Sequence, residues 1–103
     1  MNWLWTWGGA CFGYRSGDDL RTHDGYHVGR LNGDRVYDRH GRYLGELRNS
    51  RMIRKCGSTM VVSYVFTPWA KVAAYVKYAD YAGYAMPSGY EDFPTPSSFH
   101  SAA

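Results

Sequence analysis

A chain of 103 residues makes one domain near the lower end of sizes that fold alone, and such a chain leaves a large share of its surface uncovered. Its net charge is only +3, with Arg supplying nine of its twelve basic residues, so an Arg-rich sheet face or subunit interface accounts for the charge more simply than a phosphate-binding surface. No apolar stretch approaches the roughly 20 residues of a membrane-spanning helix, and two cysteines at unrelated phases, Cys11 and Cys56, argue against a disulfide framework and fit a reducing cytoplasm.

The opening MNWLWTWGGACFG lacks the basic start of a signal peptide, and its Leu4 and Phe12 begin a pattern that continues far into the chain. Apolar residues recur every eighth position: Leu4, Phe12, Leu20, Val28, Val36, Leu44, Met52 and Met60. Four positions after each of the first seven stands a turn dipeptide: Gly8-Gly9, Ser16-Gly17, Asp24-Gly25, Asn32-Gly33, His40-Gly41, Arg48-Asn49 and Cys56-Gly57. Alternate strands resemble each other more than neighbours do, which makes the sequence repeat sixteen residues long, with Gly13, Gly29 and Gly45 in one column.

This spacing predicts a mainly β fold: an antiparallel meander of about eight short strands over residues 2–66, joined by two-residue hairpin turns. Counting register across those turns puts Leu4, Gly13, Leu20, Gly29, Val36, Gly45, Met52 and Val61 on one face. The opposite face carries Trp5, Phe12, Arg21, Val28, Tyr37, Leu44, Ile53 and Met60. Both faces are apolar at the centre, so each needs a cover, and a bent meander packed on itself or on copies of itself supplies one.

Beyond Thr67-Pro68 the character changes, and Tyr75, Tyr78, Tyr81 and Tyr84 follow at intervals of three. A helix would gather Val72, Tyr75, Val76 and Ala79 on one face. A strict three-residue period instead fits an extended, three-fold strap laid over the meander, and that reading is preferred. The expected layout is one domain, with the repeat over 2–66, a Tyr-rich strap over 67–90 and an irregular tail over 91–103.

The segment YHVGRLNGDRVYDRHGRYLGEL (Tyr26 to Leu47), with WLWTWGGACFGYRSGDDL before it and AGYAMPSGYEDFPTP near the end, resembles the small bacterial four-fold beta flower proteins. The resemblance spans essentially the whole chain through VGR, VYD, GRYLGE and GYEDFP. It implies β elements around a four-fold axis, supplied by one chain or by four, and carries no activity with it. Locally, Tyr37-Asp38-Arg39-His40-Gly41-Arg42-Tyr43-Leu44 is similar to the YD repeats of large toxin shells, as shared hairpin chemistry.

No catalytic motif accompanies His23, His27, His40 and His100: there is no GxSxG and no Cys-His pairing. Asp24, His40 and Cys56 share a phase, as do Cys11, His27 and Tyr43, so stacked repeats would bring metal-competent groups together; no CxxC pair supports the idea. Phosphate-cradling loops of the GxGxxG or GxxxxGK[ST] kind are absent. The acidic pairs Asp18-Asp19 and Glu91-Asp92 read as solvated loop acids. No catalytic residue, cofactor site or metal site is assigned.

Between Leu20 and Lys55 stand eight Arg and one Lys against four acidic residues, interleaved with rings. The expected function is a non-enzymatic structural or interaction module that self-assembles, with four-fold symmetry as the leading homo-oligomer. Its contact surface is drawn from Trp3, Trp5, Trp7, Arg21, Tyr26, Arg35, Tyr37, Arg39, Arg42, Tyr75, Tyr78, Tyr81 and Tyr84. The alternative is a single-stranded nucleic-acid binder that stacks bases between Arg21, Arg30, Arg35, Arg39, Arg42, Arg51 and neighbouring rings. A third reading is metal binding or hydrolysis using His27 and His40.

Overall fold

The structure, a computed structural model, describes residues 1–57 and 65–99. Seven strands follow at the spacing of the comb: β1 (Asn2–Thr6), β2 (Cys11–Ser16), β3 (Asp19–Thr22), β4 (His27–Asn32), β5 (Arg35–Tyr37), β6 (Tyr43–Arg48) and β7 (Arg51–Lys55). Each pairs antiparallel with the next, and then β1 and β7 pair in parallel through Trp5 with Arg51 and Thr6 with Met52. The meander is therefore a closed seven-stranded barrel, which removes the exposed edges an open sheet would carry.

An eighth strand, β8 (Tyr90–Asp92), comes from the far end of the chain and lies antiparallel to β7, with Ile53 opposite Asp92 and Lys55 opposite Tyr90. The expected eighth strand near Met60 and Val61 lies outside the described residues. The sheet position beside Ile53–Lys55 is held by β8, so part of the segment expected to be irregular tail completes the sheet. Four two-stranded units, β1–β2, β3–β4, β5–β6 and β7–β8, thus surround one core within a single chain.

The connections are of two kinds, which corrects the expectation of seven equal two-residue turns. At one end Gly17-Asp18, Gly33-Asp34 and Asn49-Ser50 link strands whose flanking residues pair directly, as Ser16 does with Asp19. At the other end the loops have three residues, Trp7-Gly8-Gly9, His23-Asp24-Gly25 and Arg39-His40-Gly41, closed by bonds such as Thr22 N–H to the Tyr26 carbonyl. A three-residue loop ends on a left-handed residue, and Gly9 and Gly25 hold φ of 97° and 95°. Glycine after a polar residue serves both designs, so the dipeptides did not distinguish them.

A second correction concerns the two faces. Register slips by one residue between Leu4 and Trp5, between Leu20 and Arg21, and between Val36 and Tyr37, each beside a glycine of the Gly13, Gly29, Gly45 column. A β-bulge leaves one residue without a partner and re-aims it. Here the bulged residues are Phe12, Val28 and Leu44, and they turn into the barrel to join Leu4, Leu20, Val36 and Met52 in one core. All of the comb within the described residues points inward. Trp5, Arg21, Tyr37 and Ile53 remain outside, so the supposed second apolar row was two sets of residues facing opposite ways.

The bulge glycines are required by proximity: a Cβ on Gly13 would run into the backbone of Arg21 and Thr22. In the fourth unit Phe93 follows β8 and enters the core as Phe12 does in the first; their rings meet edge to face at 5.3 Å. Phe99, on a short 3-10 turn over Pro96–Phe99, packs on both. Burying a Phe of this kind stabilises by about 2–3 kcal/mol.

Residues 65–87 contain no helix or strand, as the strap reading expected, but they run along the three-residue-loop end of the barrel rather than over one face of the sheet. Among the described residues, no helix is long and apolar enough to cross a membrane.

Candidate interaction surface

The strap is held by its own backbone. The Phe66 N–H donates to the Arg39 carbonyl, Tyr75 N–H to His23 and Tyr84 N–H to Trp7, at 2.8–3.1 Å. These donors are nine residues apart and their acceptors sixteen, so each nonapeptide of strap spans one unit of barrel. Val72 N–H to the Gly25 carbonyl and Tyr81 N–H to that of Gly9 repeat the same step. Between them, Trp69 N–H donates to His27 Nδ1 at 2.9 Å, and the Tyr78 backbone bonds the Cys11 thiol. Every third strap residue from Phe66 to Tyr84 therefore anchors to the barrel, as a three-fold extended chain allows. Strap and barrel run oppositely: the strap meets the third loop first, then the second, then the first, and reaches β7 where Cys56 N–H donates to the Gly89 carbonyl.

The residues that anchor by backbone are those with large side chains, and the four tyrosines among them lie against the barrel's tryptophans. Trp3 meets Tyr78 edge-on at 4.9 Å, Trp5 stacks on Tyr81 at 4.5 Å, and Trp7 meets Tyr84 at 5.2 Å. Trp5 Nε1 donates to the Ala79 carbonyl and Trp7 Nε1 to that of Ala85, each at 3.0 Å. Arg21 Nη1 bonds the Gly25 and Ala70 carbonyls, and Arg51 bonds the Trp7 carbonyl with its Cζ 3.9 Å from the Tyr84 ring centre. Lys71 lies over Tyr26 at 5.4 Å. Trp3, Trp5, Trp7, Arg21, Tyr26 and the four strap tyrosines are thus brought together, chiefly to bind strap to barrel.

The other expected contact residues lie elsewhere. Tyr37 is buried, 6.4 Å from Tyr43. Arg35 faces Glu46 across β5 and β6 near the opposite end. Arg39 opens the third loop and Arg42 follows it, where Arg39 Nε donates to His40 Nε2 and Arg42 N–H to Asp38 Oδ1. Of the arginines expected to face nucleic acid, Arg21 and Arg51 are committed to carbonyls, and Arg30 pairs with Asp19 at 3.4 Å while covering Phe66.

Tyr14 and Asp80 also belong to this surface and carried no distinguishing sequence signal. Tyr14 is buried between Trp3 and Tyr75, and burial raises its hydroxyl pKa. Asp80 accepts the Cys11 N–H at 2.8 Å, a bond that holds its carboxyl below the usual range. The tyrosines are not consumed by this packing. Tyr75, Tyr78, Tyr81 and Tyr84 remain 47–57% exposed, and Val76 between them is 94% exposed.

His27 and His40 line one cavity of about 230 Å³ with Val28, Asp38, Arg39, Leu44, Pro68 and Phe99. None of these lining residues is a Ser, Thr or Cys nucleophile. The His27 ring is shielded from solvent, and both nitrogens are engaged: Nδ1 by Trp69, Nε2 by Asp19 Oδ1 and the Gly29 carbonyl, each at 3.1 Å. Burial, outweighing the neighbouring Asp19, pushes its pKa down. His23 and His27 stand four residues apart, a spacing that would align them on a helix. On either side of a β loop it does not, and His23 Nδ1 turns to Asp24 at 2.8 Å.

No three metal-competent groups converge among the described residues. The repeats follow one another around a closed barrel rather than in a stack, so equal phase places Cys11, His27 and Tyr43 on successive units instead of bringing them together. The acidic pairs also differ from solvated loop acids in part: Asp19 pairs with His27, and Asp92 accepts the Gly8 N–H at 3.1 Å. In comparison with known proteins, no family model, no curated protein and no solved structure matches the chain.

Proposed function

We propose that this protein is a non-enzymatic interaction module that self-associates through the tyrosine belt of its strap. The observation that carries the reading is the belt itself: four rings at three-residue spacing, fixed from behind by tryptophans and backbone bonds, each about half exposed around Val76. A rigid aromatic row loses little side-chain freedom on contact, and tyrosine offers apolar area with a polar tip. The cytoplasm is the proposed compartment, where free Cys11 and Cys56 stay reduced.

Native mass spectrometry and light scattering test this. The wild-type protein is expected to form a discrete oligomer at micromolar concentration, and Val76→Asp, at a nearly fully exposed position between the anchoring residues, is expected to shift it toward monomer. A wild-type monomer under those conditions overturns the proposal.

A further inference from the structure

Among the described residues, His27 accepts one of the evenly spaced strap amides at a ring nitrogen, and it differs from the loop carbonyls in what a proton does to it. The carbonyls of Arg39, Gly25, His23, Gly9 and Trp7 accept strap amides at any ordinary pH. His27 Nδ1 accepts the Trp69 N–H only while that nitrogen is bare. Its Nε2 lies against two acceptors, Asp19 Oδ1 and the Gly29 carbonyl, so Nε2 carries the proton of the neutral ring. A second proton can enter only at Nδ1, where it would confront the Trp69 N–H donor to donor.

We propose that His27 is a pH-sensitive latch for the first part of the strap: protonation at Nδ1 releases residues 66–69 from the barrel, while the strap beyond Val72 stays docked.

The surroundings set the direction. From β3, Asp19 favours the imidazolium and Arg21 opposes it; from β4, Arg30 opposes it. The loop between β5 and β6 presents Asp38, Arg39 and His40 to the adjoining cavity, and the strap presents Phe66 and Pro68 without a carboxylate. Phe66 lies 5.2 Å from the imidazole, ring centre to ring centre, and the Arg30 guanidinium covers its ring. Leaving the barrel frees the imidazole to hydrate and Nδ1 to take its proton. Docked strap therefore requires neutral His27, and release is linked to uptake of one proton.

The sign follows directly. The docked form holds its histidine pKa below the free value of about 6.5, so docking is fully favoured above that pH and weakens as the pH falls from it toward the docked-state pKa. Where the docked form binds no proton, the opening constant rises about tenfold per pH unit below about 6.5. Acidification would uncover the cavity beside Val28 and Pro68 without unfolding the barrel.

Site-resolved NMR of the wild-type protein from pH 8 to pH 5 tests the latch. The expected result is a neutral Nε2–H imidazole at pH 8 and a Trp69 amide whose exchange protection falls about tenfold per pH unit below about 6.5, while Tyr84 protection stays constant. His27→Asn places an uncharged acceptor near Nδ1 and should abolish the pH response. His23→Gln and His40→Gln should leave it intact. Trp69 protection that does not change while His27 titrates overturns the proposal, as does a response abolished by His40→Gln. Should His27→Asn fail to fold, the wild-type titration and the two control variants still decide.

Discussion

Gly9 and Gly17 make the strap's contribution measurable one residue at a time. Both hold positive φ, 97° and 61°, so an alanine at Gly17 meets a left-handed penalty of about 1–2 kcal/mol and one at Gly9, farther from the left-handed α region, at least as much. Their surroundings differ. A Cβ on Gly17 would find open space, whereas one on Gly9 would run into the Tyr81 carbonyl of the strap. Gly17→Ala is therefore expected to lower stability by the backbone penalty alone, and Gly9→Ala by at least that amount plus an overpacking cost of about 1–3 kcal/mol. Chemical denaturation of the two variants checks this; equal losses would mean that the strap yields freely at the first loop.

At the scale of elements, the strap's anchoring predicts an unusual exchange pattern. Amides of Phe66, Val72, Tyr75, Tyr81 and Tyr84 donate to the barrel, while Val76, almost fully exposed, stands between two of them. Hydrogen exchange should find the anchored amides protected by about tenfold or more over Val76, at a period of three. A continuous protected run would indicate a helix instead. This period was only partly legible in the sequence: the three-residue spacing of Tyr75 to Tyr84 favoured an extended strap, while Val72, Tyr75, Val76 and Ala79 left a helix open. The strands were legible as well, since the comb from Leu4 to Met52 marks each one. Their facing was not. A period of two assigns Phe12 to the side opposite Leu4, and only the one-residue slip opposite Gly13 returns it to the core. β8 was hidden for another reason: Tyr90–Asp92 sits among prolines and serines, and its strand character comes from a partner some forty residues away. The candidate surface followed the same division, with its rings readable and their intramolecular use invisible to local pattern.

The whole molecule depends on its C-terminal part more than the clear N-terminal repeat suggests. β1 and β7 pair over only two residues each, and Phe93 fills the interior beside Phe12. A chain ending after Ser88 would lose β8, Phe93 and Phe99 together. Removal of one such core Phe costs about 3–5 kcal/mol, comparable to the total stability of a small domain. That truncation is expected to retain far-ultraviolet β signal in part, lose fixed aromatic near-ultraviolet signal and bind a hydrophobic dye; an unchanged near-ultraviolet spectrum would show that the barrel stands without β8. The same dependence orders events during synthesis. The fourth unit takes one strand from residues 51–55 and its other from residues 90–92. A ribosome must therefore extend the chain through residues 90–92 before the last gap can be filled, and until then the growing protein carries an unfinished edge on β7. Closure of this ring is thus tied to synthesis of residues 90–92, which lie well beyond the strand they complete.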